Sequence, residues 1–202
     1  MTTERITPLV APFEPDVGAQ LAAMMPPGVS PIALFRTFAH NLPMTTAMRG
    51  WGRYELGPAL SVPMRTREIV IDRTTARCGA EYEWGVHVAF FAERAGLSGE
   101  QLRSIVEGAP ADPCWDADVD RPAIELVDQL HDGGDIDDDL WARLIATFRV
   151  EQVLDLILLC GWYHAISFAA RATRLRNEPF APTFESIIGT TRHPTRPTAS
   201  AS

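Results

Sequence analysis

The sequence predicts an all-α domain, and three observations indicate that class. Alternating polar and apolar residues, which mark half-buried strands, are essentially absent. Apolar residues instead recur at the spacing of helix faces, and serine, proline and glycine stand where helices are expected to begin and end. The 202 residues are enough for one full-sized domain with its own core.

The helices of the first half are predicted from the prolines that precede apolar segments. Residues 1–14 contain prolines and are expected to form an extended arm. Ser30 and Pro31 together give a helix start, with a capping serine and a proline at the first helical position. Pro63 precedes another helix. The predicted helices are 15–25, 31–41, 43–56 and 64–77.

The second half is bounded by glycines and one capping motif. Gly96 stops the helix that follows the Cys78-Gly79 break, and Ser98 with Gln101 forms a capping box for the next helix. The predicted helices are 80–95, 98–107, 121–132, 136–148 and 150–177, with an exposed acidic linker at 108–120.

The last predicted helix is the longest and the most apolar. It is apolar over more than one face, so it is expected at the centre of the domain or at a subunit interface, and we favour a homo-oligomer. Pro, Thr and Ser dominate residues 179–202, which are expected to be a partly disordered tail. The predicted domain is therefore residues 15–178.

Composition excludes several partners and cofactors. All 18 basic residues are arginine, so a lysine Schiff base and pyridoxal phosphate are not expected. Eleven acidic residues face one arginine between Asp112 and Asp139, and the rest of the chain is close to neutral, so there is no basic face for nucleic acid. No apolar run reaches the roughly 18 residues of a membrane span. Since residues 1–5 lack secretory-signal features, we expect a soluble, cytoplasmic protein.

The three cysteines show no pattern of metal or redox chemistry. Cys78, Cys114 and Cys160 form no CxxC and no metal-ligand spacing. Without a secretory signal they are expected to be reduced thiols, and Cys160 lies in an apolar run typical of core packing.

The candidate chemistry lies in one helix and the helix before it. Glu83 and His87 are four residues apart, so their side chains rise from one helix face, and a carboxylate beside an imidazole is a common proton-transfer arrangement. Glu68 can face this pair if the two helices form a hairpin. The alternative is a surface pair worth a few tenths of a kcal/mol. Trp84 and Phe91 place apolar bulk nearby and favour a partly buried pocket.

A metal site is a weaker interpretation of the same residues. Glu83 and His87 could supply two ligands, with His164 or Glu68 as a third. No HExxH motif is present, so we expect no metal and no cofactor. His164, with Tyr163 beside it in the apolar last helix, is the next polar group expected to face an internal pocket.

Three segments carry a family resemblance: Arg67-Glu68-Ile-Val-Ile, Cys78-Gly-Ala-Glu-Tyr-Glu-Trp-Gly-Val-His87 and Arg94-Ala-Gly-Leu-Ser98. They resemble the carboxymuconolactone decarboxylase family, which also contains the alkylhydroperoxidase D proteins. The resemblance is strongest over residues 60–110 and extends more loosely over 31–176. It implies an all-α fold that assembles as trimers or hexamers, often with sites near subunit contacts.

The peroxidase branch of that family uses a glutamate, a CxxC pair and a histidine four residues after the second cysteine. Glu68 and His87 match the glutamate and the histidine, whereas the cysteine positions hold Ala80 and Glu83. Peroxiredoxin-type antioxidant chemistry is therefore disfavoured. The arrangement resembles the decarboxylase side, where a Glu and a His handle protons on a small lactone acid.

These observations predict a cofactor-free lyase or isomerase acting on a small carbonyl acid or lactone. His87, held by Glu83, is expected to move a proton to or from carbon, with Glu68 setting the charge state of the pair. The alternatives are a non-catalytic oligomeric protein that binds a small molecule, and a thiol peroxidase working through Cys78.

The substrate-binding residues are predicted separately. An arginine on the last helix is expected to hold the substrate carboxylate as a bidentate partner. The predicted binding residues are Tyr82, Trp84, His164 and Arg171, with Arg174 as a second choice of arginine.

Overall fold

The computed structural model describes residues 3–115 and 118–189, and these form helices joined by turns, with no strand among them. The all-α prediction is confirmed. The helices are α1 (Pro15–Ala22), α2 (Ala33–Phe38), α3 (Leu42–Leu56), α4 (Met64–Arg77), α5 (Glu81–Phe91), α6 (Gly99–Glu107), α7 (Asp120–Gly133), α8 (Asp138–Thr147), α9 (Val150–Thr173) and α10 (Phe184–Ile188).

Helix α4 is the centre of the domain although its sequence is strongly polar. It contacts α5, α6, α7 and α9, and every residue from Thr66 to Thr75 is buried. Burial of this many polar side chains requires partners for them. Arg73 shows how this is met: its guanidinium forms two bonds to Asp128 of α7, at 2.7 and 2.8 Å, and donates to carbonyls at the end of α6. Charged pairing thus joins three helices.

Helix α9 packs along α4 as the second central element. Its 24 residues and mean hydropathy of 1.6 would allow it to cross a membrane, yet 50% of its most apolar window is buried inside the domain, as in a core helix of a soluble protein. It ends at Thr173 rather than at the predicted residue 177, because Arg174 adopts a left-handed conformation with φ of 57° and caps it.

The beginning of α2 differs from the prediction based on Ser30 and Pro31. The helix begins at Ala33, and no side chain of the preceding residues caps it. Its first amides instead donate to residues that are far away in the sequence. Glu178 accepts from the Ala33 amide at 2.5 Å, and the Tyr82 hydroxyl accepts from the Leu34 amide at 2.9 Å. The cap is tertiary, so local sequence does not show it.

The signals around α5 and α6 are confirmed. Ser98 and Gln101 form the reciprocal capping box, with distances of 3.1 and 3.0 Å. Gly96 has φ of 66°, which stops the turn that continues α5 as far as Ala95. Helix α5 itself ends at Phe91, earlier than predicted.

The chain after α9 returns across α5 and forms the unpredicted α10. At Gly85 a Cβ atom would lie 2.5 Å from the Pro182 carbonyl oxygen, so only glycine lets this segment pass. Glu81 accepts from Asn177 at 2.6 Å and from the Phe184 amide at 2.8 Å. We call residues 175–189 the strap. The predicted disorder of the tail falls largely on residues 190–202, which lie outside the described residues.

Candidate active site

A cavity of about 400 Å³ lies between α5 and α9 on one side and α2, α3 and the segment that follows α1 on the other. Most of its lining is aromatic, aliphatic or thioether. The larger apolar side chains include Met25, Phe35, Phe38, Met48, Phe90 and Trp162. Two of the predicted catalytic residues, Glu83 and His87, supply acid–base groups to this apolar lining. An apolar cavity with a few convergent polar groups is typical of a small-molecule site.

His87 lies between two glutamates. Its Nδ1 is 2.9 Å from Glu68 Oε2, and its Nε2 is 3.6 Å from Glu83 Oε1. The prediction that Glu68 faces the pair is therefore correct in geometry. The shorter contact, however, is to Glu68, so the expectation that Glu83 holds the imidazole needs correction. The contact to Glu83 is longer than a hydrogen bond.

Glu68 is fixed from its other side by a neighbouring guanidinium. Arg67 Nε donates to Glu68 Oε1 at 2.6 Å, and Arg67 also donates to the Leu56 carbonyl at 3.2 Å. The Arg67 guanidinium lies 5.1 Å from the centre of the Phe91 ring. Arg67, Glu68 and His87 are all at most 5% exposed, so water does not weaken this chain of contacts.

The electrostatics favour a charged imidazole. Burial alone lowers the pKa of His87, but the charge of Glu68, the hydrogen bond that His87 donates to it and the proximity of Glu83 outweigh burial and raise the pKa to about 10. His87 is therefore an imidazolium at neutral pH. It is held between two carboxylates and beside the edge of the Tyr163 ring, whose centre is 4.9 Å away.

Asp72, one turn after Glu68 on α4, completes this buried group. It is 1% exposed, and neither carboxyl oxygen has a hydrogen-bond partner among the described residues. Burial and the charge of Glu68 raise the pKa of Asp72 well above its usual range, against the opposing charge of His87. Both effects favour the neutral form of this carboxyl group.

Glu83 has a carboxyl oxygen that is free to bind a ligand. Its Oε2 atom is buried and has no hydrogen-bond partner among the described residues. Glu83 lines the cavity, whereas Glu68 lies behind His87 and is 0% exposed. The three predicted catalytic residues are thus brought together: Glu83 and His87 line the cavity, and Glu68 contacts His87 from behind.

Tyr82 and Trp84, expected at the pocket, lie outside the cavity lining. The Tyr82 hydroxyl donates to Glu178 at 2.7 Å and, as noted, caps α2. Trp84 is 0% exposed and packs against Phe184, with ring centres 4.9 Å apart. On helix α5, residues 82 and 84 therefore point to the sides of the face that carries Glu83 and His87.

His164 and Arg171 on α9 also lie away from the cavity. His164 Nε2 is 2.9 Å from His131 Nδ1 on α7, and Arg171 donates to the Cys78 carbonyl at 2.5 Å. Tyr163, which the same sequence motif contains, does line the cavity. Arg171 is exposed, and its guanidinium is directed toward the turn after α4. It therefore does not reach the predicted carboxylate site.

Two arginines that sequence reasoning missed line the cavity. Arg49 and Arg53 lie one turn apart on α3, and neither forms an ion pair with any residue that the structure describes. Their spacing of four residues, which places both side chains on one helix face, is the sequence feature that could have indicated a shared role. Nothing in the sequence, however, indicates that α3 covers the face of α5 that carries His87.

Comparisons with solved structures identify the fold. The debrominase Bmp8, as a cysteine-to-alanine variant with bound 2,3,4-tribromopyrrole, is 15% identical, with a TM-score of 0.73 over 94% of this chain and 98% of its own. An uncharacterised peroxidase-related protein from Silicibacter sp. TM1040 is 15% identical, with a TM-score of 0.72 over 91% and 98%. The chain matches no protein-family profile and no curated protein.

A third similar structure carries the family name. It is a protein of unknown function from Agrobacterium tumefaciens, provisionally assigned to the AhpD antioxidant defence proteins. It is 15% identical, with a TM-score of 0.62 over 70% of this chain and 94% of its own. The chain therefore has the alkylhydroperoxidase D-like helical fold, as the sequence resemblance implied.

Proposed function

We propose that the protein is a cofactor-free proton-transfer enzyme, a lyase or isomerase, acting on a small carbonyl acid or lactone. The observation that carries this proposal is the unpartnered Glu83 Oε2 beside a charged His87 in an apolar cavity. An apolar environment strengthens the attraction between the imidazolium and negative charge that develops on a substrate.

The two front residues have complementary roles. Glu83 Oε2 accepts the proton from the carbon next to the substrate carbonyl, and His87 Nε2–H donates a hydrogen bond to the carbonyl oxygen on which negative charge develops. The 3.6 Å separation of His87 Nε2 from Glu83 leaves that hydrogen available for the substrate. In a decarboxylation, cleavage of the bond to the substrate carboxylate releases CO₂ and leaves the same enolate. Its carbon then takes the Nε2 proton of the His87 imidazolium, and solvent restores that proton to His87.

The cavity supports a substrate with an apolar body and one carboxylate. Its apolar lining favours a ring or a short hydrocarbon body. Arg49 and Arg53, without ion-pair partners among the described residues, replace Arg171 as the proposed partners of the carboxylate.

The peroxidase alternative is not supported by this geometry. The residues at the two family cysteine positions, Ala80 and Glu83, carry no thiol. Cys78 is buried at the end of α4, and burial raises the pKa of its thiol, which opposes formation of the reactive thiolate.

The experiment is proton exchange in D₂O, followed by ¹H NMR on a panel of cyclic and short-chain carbonyl acids and their lactones. We expect exchange of the proton next to the carbonyl for at least one member, and loss of this exchange in His87→Ala. Glu93→Gln, an exposed position just after α5, is the matched control. If ligands bind in the cavity but no panel member exchanges or is consumed, the protein is a binding protein and the enzyme proposal fails.

We also propose that the protein is a homo-oligomer. Val150, Leu154 and Leu158 recur every four residues along α9 and are 71%, 57% and 52% exposed. An exposed apolar stripe of this kind is typical of a subunit contact. Light scattering should give a trimer or hexamer mass, and Leu154→Glu with Leu158→Glu should give monomers; a monomeric wild type would exclude the proposal.

A further inference from the structure

Three potential metal ligands from three helices meet away from the cavity. Cys78 caps the end of α4, His131 lies in the last turn of α7, and His164 lies in the middle of α9. One ligand atom from each lies within 4.8 Å of the other two. We propose that these three residues form a zinc-binding site, which is independent of the proposed catalytic function.

The separations suit one shared ion. A tetrahedral zinc with bonds of about 2.1 Å to nitrogen and about 2.3 Å to sulfur places its ligand atoms between roughly 3.3 and 3.7 Å apart. His131 Nδ1 is 2.9 Å from His164 Nε2 and 3.9 Å from Cys78 Sγ. These two separations differ from the tetrahedral range by roughly 0.5 Å or less, and the third, between Cys78 Sγ and His164 Nε2, is at most 4.8 Å, so small side-chain shifts bring all three atoms to bonding distance.

A neighbouring carbonyl orients His164 for metal binding. His164 Nδ1 is 2.8 Å from the carbonyl oxygen of Cys160, one turn earlier on α9. A nitrogen in that contact carries the ring proton and donates it, so Nε2 presents its lone pair toward the cluster. Histidine ligands of metals are regularly fixed in this way.

The donor set selects the ion. One thiol and two imidazoles, without a carboxylate among the three, favour a borderline-soft ion such as Zn²⁺ over Mg²⁺ or Ca²⁺. Cys78 is 6% exposed, while both histidines are half-buried, which leaves an entry path for the ion. Three protein ligands leave a fourth position for water.

Binding requires a proton balance. Cys78 loses its thiol proton to solvent and binds as thiolate, and the proton of the His131 ring must reside on Nε2 so that Nδ1 can bind the metal. The alternative is that His131 Nδ1–H simply donates to His164 Nε2 and that Cys78 only packs beside the pair. The two interpretations differ in the role of the thiol.

The test is Zn²⁺ titration of the full-length protein in competition with a chromophoric chelator, together with Co²⁺ absorption spectra. We expect one equivalent per chain, a thiolate-to-cobalt charge-transfer band, and at least about tenfold weaker Zn²⁺ binding in Cys78→Ser, His131→Gln and His164→Gln. Cys114→Ser and His40→Gln are matched controls from elsewhere in the chain and should bind as wild type.

Two results would overturn the proposal. The first is wild-type Zn²⁺ affinity in Cys78→Ser, which would show that the histidine pair is only a hydrogen bond or binds without the thiol. The second is loss of binding in Cys160→Ala but not in Cys78→Ser, because the sulfur of Cys160 is also near His164, at 3.7 Å from Nδ1. Circular dichroism of each variant separates loss of binding from loss of fold.

Discussion

Helix α4 carries two polar clusters of opposite character, one near each end. The proposed catalytic cluster, Glu68 with Glu83 and His87, is at most 5% exposed and consists of three ionisable groups. The thiol–imidazole cluster, Cys78 with His131 and His164, is built from groups that are neutral in their common forms, and its histidines are half-buried.

The difference shows how burial decides what a titratable group can do. Charges enclosed together must balance one another, so the carboxylates keep His87 protonated and the group is suited to moving protons. Neutral donors nearer the surface keep their lone pairs free, and such donors are suited to binding a cation. Two different chemistries can therefore share one helix.

The largest expected effect is a reciprocal loss of function. Glu83→Gln removes the proposed base, so turnover should fall by about 100-fold or more, while Zn²⁺ affinity stays at the wild-type value. Cys78→Ser should weaken Zn²⁺ binding and leave turnover at the wild-type value. Proton exchange and Zn²⁺ titration on the same two samples measure both quantities, and a variant that lost both functions would show that the clusters are not separate.

The next effect is on the charge of His87. Glu68→Gln removes the nearest negative charge, so the imidazole pKa should fall well below about 10, its value in the wild-type protein. NMR titration of the histidine rings in both proteins measures this directly. The lowered pKa of His131 should be the same in the two proteins, because burial and the charge of Arg77 cause it and neither Glu68 nor Glu83 contributes.

The same shift predicts a pH dependence of stability. The folded-state pKa of His87 lies above the ordinary value of about 6.5, so its stabilising contribution is complete below that pH and is lost as the pH rises through about 10. The free energy of unfolding of wild type should therefore approach that of His87→Gln as the pH rises across this window. A constant difference between the two denaturation series would contradict the charged imidazole.

A smaller effect is expected for the two arginines that line the cavity. The double variant Arg49→Gln with Arg53→Gln should raise KM for an acid substrate by about tenfold and leave kcat nearly unchanged, because the carboxylate contact is lost from ground state and transition state alike. Arg176→Gln, on the exposed strap, is the control. An equal rise in KM for a neutral lactone would argue against a contact between these arginines and the substrate carboxylate.

The smallest effect is expected at Asp72. The raised pKa of Asp72 favours its neutral form, and neither carboxyl oxygen has a hydrogen-bond partner among the described residues, so Asp72→Asn should change the free energy of unfolding by less than about 1 kcal/mol. Asp155→Asn is the matched contrast: Asp155 accepts hydrogen bonds from Tyr54 at 2.5 Å and from Ser61 at 2.8 Å, so its loss should cost roughly 1–3 kcal/mol. Chemical denaturation of both variants measures their free energies of unfolding and tests whether Asp155→Asn is the more destabilising.

The sequence predicts local features well because their causes are local. The capping box of Ser98, the stop at Gly96 and the shared helix face of Glu83 and His87 each depend on residues within one or two turns. The position of Glu68 opposite His87 also follows, because the two helices are joined by the short Cys78-Gly79 break.

The features that the sequence does not reveal all depend on residues far apart in the chain. Helix α2 begins at Ala33 because Tyr82 and Glu178 bind its amides, and no pattern near Ser30 indicates them. The thiol–imidazole cluster has no ligand spacing, since its members come from three helices. The burial of charged α4 likewise depends on partners such as Asp128 on α7.

The crossing of the strap at Gly85 has a consequence for protein engineering. The helix that carries Glu83 and His87 tolerates no methyl group where Pro182 passes, and its first turn is tied to the strap through Glu81. Residues 81–91 and 175–189 therefore behave as one exchangeable module. A chimera that imports a relative's α5 without the matching C-terminal segment should misplace the proton-transfer groups, whereas moving both pieces together preserves them.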